Sequence, residues 1–148
     1  MKKIFIYYSH SGNGDLVAKK MEELGYEVRK VYPKHDLPKS FFGQMMVGGM
    51  LSAMNHRSRL NNYNANLTDY DEVVIGSPIW NSSLSCSINR VLKISDFANK
   101  KLSFILYSGS GEAKNALKRI ESKYPASNTV VLKEPKKYPQ ELEKLINY

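Results

Sequence analysis

At 148 residues, with 42% apolar and 24% charged side chains, the chain has the size and balance of one globular domain with a real core. A single cysteine, Cys86, excludes an internal disulfide and suits a reducing compartment. The formal charge of +8 is spread over short basic pairs such as Lys2-Lys3, Lys19-Lys20 and Lys136-Lys137, with no basic tail, which argues against nucleic acid as a partner.

The apolar run Ile4–Tyr8 is too short for a signal peptide. The longest charge-free segment, Ser40 to Asn55, is broken by Gly43, Gly48 and Gly49, whereas a membrane span needs about 20 apolar residues. A cytoplasmic protein with no membrane partner is expected.

Strand-like and helix-like segments alternate along the chain. Ile4–Tyr8 is nearly continuously apolar, the pattern of a strand covered on both faces. Val17, Met21 and Leu24 fall on one helical stripe, with Gly25 where a C-terminal cap belongs. Tyr26–Tyr32 alternates like a strand near a sheet edge. Phe41, Phe42, Met45, Met46, Val47, Met50, Leu51 and Met54 form a methionine-rich, helix-like run interrupted by Gly48-Gly49. It reads either as a covering helix or as a deformable wall beside a ligand, since methionine repacks easily. Arg57, Arg59 and Asn61-Asn62 lead through a polar loop to Asp69-Tyr70-Asp71.

Val73–Ile75 is a second buried strand, ending at Gly76-Ser77-Pro78, after which Leu84, Ile88, Val91 and Leu92 recur at helical spacing. Leu102–Tyr107 is a third buried strand, ending in Ser108-Gly109-Ser110-Gly111. Ala113, Leu117, Ile120 and Tyr124 make the next helical stripe, stopped by Pro125. A strand over Thr129–Leu132 and a helix from Tyr138 to Ile146, with Pro139 in its first turn, complete the pattern. This alternation predicts a single α/β domain over residues 1–148, a doubly wound parallel sheet with helices on both faces.

Right-handed connections gather the loops that follow the strands at one edge of such a sheet, where ligands bind. Three of these loops, beginning at Ser9, Ser77 and Ser108, are rich in Ser, Gly and Asn and point to one shared site. The first, Ser9-His10-Ser11-Gly12-Asn13-Gly14, runs from a strand into a helix. Its N–H groups and the positive end of the helix dipole face an anion, and Ser9, Ser11 and Asn13 add side-chain donors.

Competing phosphate chemistries fail on particular residues. A triphosphate loop needs a lysine, and none occurs before Lys19. A dinucleotide fingerprint needs a third glycine where Val17 stands and an acid where Tyr32-Pro33 stands. A thiol phosphatase needs a cysteine directly after the first strand, but Cys86 lies in a helical stretch only four positions before Arg90. A phosphoacceptor domain needs carboxylates at the strand ends that Ser9 and Ser77 occupy. What remains is a phosphate site without lysine or metal, or else a tight strand-to-helix turn with no ligand.

The second loop, Gly76-Ser77-Pro78-Ile79-Trp80-Asn81-Ser82-Ser83, holds the chain's one tryptophan. Trp80 either packs against a neighbouring helix or offers its face to a flat aromatic ligand, on a loop stiffened by Pro78. In the third, Ser108-Gly109-Ser110-Gly111-Glu112, the glycines let backbone approach a ligand edge closely.

Together these residues resemble the flavodoxin family. Ser9-His10-Ser11-Gly12-Asn13 looks like the family's phosphate loop for flavin mononucleotide (FMN). Gly76-Ser77-Pro78-Ile79-Trp80 resembles the loop whose tryptophan flanks the isoalloxazine ring, and Ser108–Gly111 stand in the position of the third flavin loop. The resemblance covers the whole chain in element order. It implies a flavodoxin-like five-stranded sheet of order 2-1-3-4-5 and FMN as cofactor. It also implies cofactor contacts from Ser9, His10, Ser11, Gly12, Asn13, Gly14, Pro78, Ile79, Trp80, Asn81, Ser108, Gly109, Ser110 and Gly111. No catalytic side chain and no metal ligand is implied.

Three departures from the family pattern matter. Gly14 stands where the phosphate loop usually ends in threonine, which removes a hydrogen bond worth about 1 to 3 kcal/mol if charge-assisted. A protonated His10 is one compensation; a solvent-exposed His10 ring is the alternative. The third loop lacks the aromatic residue that carriers stack on the other ring face, so that face is open to a substrate. Finally, the chain is basic where electron-carrier flavodoxins are acidic.

Carriers of this family use negative surroundings to disfavour the anionic reduced flavin. Here no acid occurs from Leu37 to Thr68 or from Val73 to Ser95, and only Asp15 and Glu112 fall in or beside the three loops. Such a setting favours the reduced anion by Coulomb attraction. The expectation is an oxidoreductase that moves electrons in pairs to quinone-like or other small acceptors, the flavin doing the redox chemistry while the protein orients it. The alternatives are a one-electron carrier docking on a redox partner, and a flavin-free binding domain of the same fold. The partner is a small molecule or a redox protein, and the oligomeric state is open, a dimer included.

Overall fold

Strand β1 (Lys3–Tyr7) is followed by α1 (Asn13–Glu23), β2 (Glu27–Lys30), β3 (Glu72–Trp80), β4 (Ser83–Leu84), α2 (Cys86–Ile94), β5 (Lys101–Ser108), α3 (Lys114–Lys123), β6 (Asn128–Lys133) and a 3₁₀ helix (Pro139–Leu145). The computed structural model describes residues 1–34, 59–125 and 127–148. The methionine-rich run and Arg57 lie outside the described residues. The long strands are parallel in the order β2-β1-β3-β5-β6, and β4 turns back antiparallel on β3. Counting long strands alone, this is the doubly wound order 2-1-3-4-5.

Side chains alternate across each strand and so divide the core in two. Ile4, Ile6, Val73, Ile75, Phe104 and Leu106 point to one face, covered by Ile88 and Val91 of α2 and by Ala116 and Ile120 of α3. Phe5, Tyr7, Val74, Ile105, Tyr107 and Leu132 point to the other, beneath Val17, Ala18 and Met21 of α1 and Leu145 of the 3₁₀ helix. Both faces bury apolar groups, which is why the central strands read as unbroken apolar runs. Among the described residues, no helix is long and apolar enough to cross a membrane.

Several boundaries differ from those the sequence predicts, each for a physical reason. β3 continues to Trp80 through the segment expected to be a loop. β1 ends opposite Gly76, so β3 has no strand partner on that side beyond it, and Pro78 is not required to donate into a ladder there. On the other side Ser77 and Pro78 still pair with Leu106 and Tyr107. Asn81 and Ser82, with φ of 48° and 63°, then make a two-residue hairpin turn into β4. Leu84 is consequently a strand residue and not the start of a helical stripe. α2 begins at Cys86, capped by Ser85, whose Oγ accepts the Ile88 N–H at 3.3 Å.

The strand expected over Tyr26–Tyr32 shortens to Glu27–Lys30 at the sheet edge. The last helix is 3₁₀: the Tyr138 carbonyl accepts the Glu141 N–H at 3.0 Å, and the Glu143 carbonyl accepts that of Ile146 at 3.1 Å. Glu141 also pulls this short, proline-led segment onto β6, its carboxylate accepting the Lys133 N–H at 2.9 Å.

Candidate functional site

The carboxyl ends of β1, β3 and β5 bring the three Ser/Gly/Asn-rich segments to one edge of the sheet. The first loop is shaped from inside by Ser9. Its buried Oγ accepts the N–H groups of Gly12 at 3.2 Å and Gly14 at 3.0 Å. Gly12 is the N-cap of α1 with φ +99°, a left-handed conformation that suits glycine, and it offers no side-chain cap. Ser9 therefore caps the helix from three residues upstream. Asn13 Nδ2 donates to Ser11 Oγ at 3.2 Å. Among the described residues no protein acceptor meets the N–H groups of Ser11 and Asn13, which leaves them available to an anion at the helix N-terminus.

Gly14 owes its identity to space. A Cβ there would stand 2.5 Å from Tyr107 Oη and 2.8 Å from Ser9 Cβ. Tyr107 is buried, and its hydroxyl donates to the Tyr8 carbonyl. Burial is the main reason its phenol is held well above its ordinary pKa and remains a donor. A threonine could not replace Gly14 while Tyr107 keeps this position. Asp15, the next residue, accepts from Lys30 Nζ at 2.8 Å and from the Tyr7 hydroxyl at 2.9 Å, so the acid nearest the loop is already paired. Burial, and then this bond to Asp15, push the Tyr7 phenol up as well.

His10 reaches toward the second segment. Its Nδ1 lies 3.3 Å from the Tyr8 hydroxyl, and its ring meets that of Trp80 edge-on at 6.3 Å. The half-buried ring thus rests against Trp80. Trp80, half-buried at the end of β3, also meets the Tyr8 ring edge-on at 5.9 Å. Ile79, Ser82, Ser108, Gly109, Ser110 and Glu112 help to line a cleft of about 330 Å³ between the second and third segments. The third segment is held by its own hydroxyls: Ser108 Oγ accepts the Gly111 N–H at 2.9 Å and Ser110 Oγ that of Glu112 at 3.2 Å.

The other expected contact residues are placed by their own segments. Pro78 is buried within β3, and Asn81 sits exposed at the hairpin turn. Gly111, with φ +82°, faces the side chain of Lys133 and is not among the residues that line the cleft.

A family model described as flavodoxin matches residues 2–144. The chain belongs to the flavodoxin family. None of the curated proteins matches the sequence. Among solved structures, a candidate flavoprotein from Bacteroides eggerthii is 19% identical with a TM-score of 0.77, over 99% of this chain and 98% of that one. A second, from Bacteroides uniformis, is 22% identical with a TM-score of 0.71, over 99% and 98%. A flavoprotein from Lactobacillus acidophilus, solved in complex with FMN, is 18% identical with a TM-score of 0.66, over 94% and 97%.

Two residues that touch the first loop of this flavodoxin carry no signal in the sequence. Lys136, from the turn after β6, donates its backbone N–H to Asn13 Oδ1 at 2.9 Å and its Nζ to the Ser11 carbonyl at 3.2 Å. The loop has no lysine of its own, and this one stands beside it from a distant part of the chain. In sequence Lys136 is only half of a basic pair, and it arrives because β6 runs beside β5 with Lys133 opposite Ser108. Tyr107 reads as one more core residue of an apolar strand, and its contact with Gly14 is visible only once α1 is laid on the sheet.

Proposed function

We propose that this flavodoxin binds FMN and acts as an oxidoreductase that passes electrons in pairs to a quinone-like or other small acceptor. The observation that carries the reading is the join between two unlike sites: a phosphate-type loop at one end and Trp80 at the other, linked through His10. The donor set fits the group. Ser9, Ser11, Gly12 and Asn13 would hold the phosphate, Trp80 would flank the ring, and Ser108–Ser110 would meet its other edge across the cleft. The Lactobacillus acidophilus relative crystallised with FMN supports the same cofactor.

Bound FMN would supply the redox chemistry, and the chain's own part is orientation and field. Asp15 is paired with Lys30, and at the cleft Glu112 is accompanied by Lys114. With so little unopposed negative charge, the site tolerates an anionic reduced cofactor, which favours paired transfer. No side chain is asked to act as a general base. A reducing cytoplasmic setting suits the one cysteine, Cys86.

Mixing the purified protein with FMN tests the cofactor. The expected result is quenching of flavin fluorescence in a stoichiometric complex; unquenched flavin overturns every redox reading. A potentiometric titration of that complex tests the electron count. A single two-electron wave is expected, and two well-separated one-electron steps would overturn paired transfer. The +8 charge favours one second reading, a one-electron carrier that docks on an acidic redox partner. That reading requires an association rate that falls steeply with salt.

A further inference from the structure

We infer that Lys136, carried on the turn after β6, is the cation of the phosphate site and takes over the role of the hydroxyl missing at Gly14; the inference rests on the FMN reading above. Three observations carry it. First, position 14 cannot supply a donor of its own, because any side chain there runs into Tyr107 and Ser9. Second, the Lys136 side chain lies over Gly12: its Cδ and Nζ are 3.5 and 3.6 Å from where a Cβ of that residue would be. The ammonium already reaches the Ser11 carbonyl at 3.2 Å, so it stands at the rim of the loop whose outward N–H groups face the anion. Third, the charge is unspent. Among the described residues Lys136 forms no ion pair, whereas Lys30 nearby is committed to Asp15.

A purely structural role is already filled by another part of the residue. The Lys136 N–H, bonded to Asn13 Oδ1, pins the turn to the loop and would survive any change of side chain. The ammonium is therefore free to swing from a carbonyl to a phosphate oxygen, a stronger, charge-assisted partner. The loop's neutral donors set direction and Lys136 supplies the charge. A ligand carrying a phosphate monoester is selected over the same ring without it.

The test compares wild type, Lys136→Gln and Lys136→Arg for binding of FMN, riboflavin and inorganic phosphate, the last followed by phosphorus NMR. Lys136→Gln is expected to weaken FMN about tenfold and to flatten its salt dependence, while riboflavin binding changes by less than about twofold. Lys136→Arg should restore most of the FMN affinity. Retained riboflavin binding certifies that the fold is intact. If Lys136→Gln binds FMN as tightly as wild type, the assignment of Lys136 is overturned while the FMN reading stands. If wild type binds neither flavin but holds inorganic phosphate in a Lys136-dependent way, the FMN reading falls and Lys136 keeps its role. If wild type binds none of the three, both are overturned.

Discussion

The two ends of the sheet are built from different chemistry. At the amino ends of the strands, charges are spent on the protein itself. Buried Glu72 accepts the Tyr26 hydroxyl at 2.6 Å and meets Lys101 at 3.5 Å, Asp71 accepts the Lys2 N–H at 2.9 Å, and Lys100 Nζ donates to the Tyr70 carbonyl at 2.7 Å. At the carboxyl ends, apart from the Asp15–Lys30 pair, most of the work is done by small neutral groups. Ser9 and Ser108 each fold a loop back on itself through one hydroxyl, Ser77 within β3 holds the Ser85 N–H in the same way, and Ser11, Asn13 and Ser110 remain toward the outside. The contrast separates stability from function. An end whose charges are spent on its own groups has little left to offer a ligand, whereas an end held largely by serine hydroxyls keeps amides and protons in reserve.

Removing Glu72 is the sharpest way to break this division. Glu72→Ala leaves the Tyr26 hydroxyl without its acceptor in a buried setting and should cost about 2 to 3 kcal/mol in urea denaturation. Burial, and then the bond to Glu72, hold the Tyr26 phenol above its ordinary range, so in the variant it stays protonated and unsatisfied. FMN affinity should not change, because the carboxylate lies at the far end of β3. A parallel loss of affinity would show that the two ends are not independent.

The reverse experiment acts at the other end. Gly14→Ala should cost about 1 to 3 kcal/mol through overpacking, and should weaken FMN at the same time because Ser9 is one of the atoms displaced. The same change in a Tyr107→Phe background should cost less, since the nearest obstructing atom, Tyr107 Oη, is gone. Equal costs in both backgrounds would mean that Tyr107 is not what keeps position 14 a glycine.

How much of this was legible before the structure follows from the range of each interaction. The apolar runs through Val73–Ile75 and Leu102–Tyr107 marked strands buried on both faces, because both faces are covered by helices. The first loop was legible because a strand, its glycines and a helix start are contiguous. Trp80 was visible as a tryptophan, but its continuation of β3 was not, because the end of β1 that releases Pro78 from the ladder lies elsewhere in the chain. Lys136 and Tyr107 were illegible for the same reason. The contact of Lys136 with Asn13 spans 123 residues, and no local pattern encodes it. Short-range geometry thus revealed the loop, and long-range docking decided which charges stand beside it.

The smallest predicted effect tests whether that docking is itself held by charge. Glu141 accepts the Lys133 N–H at 2.9 Å and Lys144 Nζ at 2.7 Å, closing the segment that carries Lys136. The bond from Lys144, followed by the Lys133 N–H, holds its carboxyl below the ordinary glutamate value of 4.5. The unfolded chain therefore takes up this proton at higher pH than the folded one. The contribution to stability is complete above that ordinary value and disappears as the pH falls through the lowered one. Glu141→Gln should cost at most about 1 kcal/mol near neutral pH, and the difference from wild type should vanish in acid below the folded pKa. If the turn relies on this clamp, the same variant also weakens FMN by about twofold, in line with a loss of order in the segment and not of its charge. An unchanged FMN affinity would instead place the whole anchoring of Lys136 in its own N–H bond to Asn13, a neutral contact that does not depend on the Glu141 carboxylate.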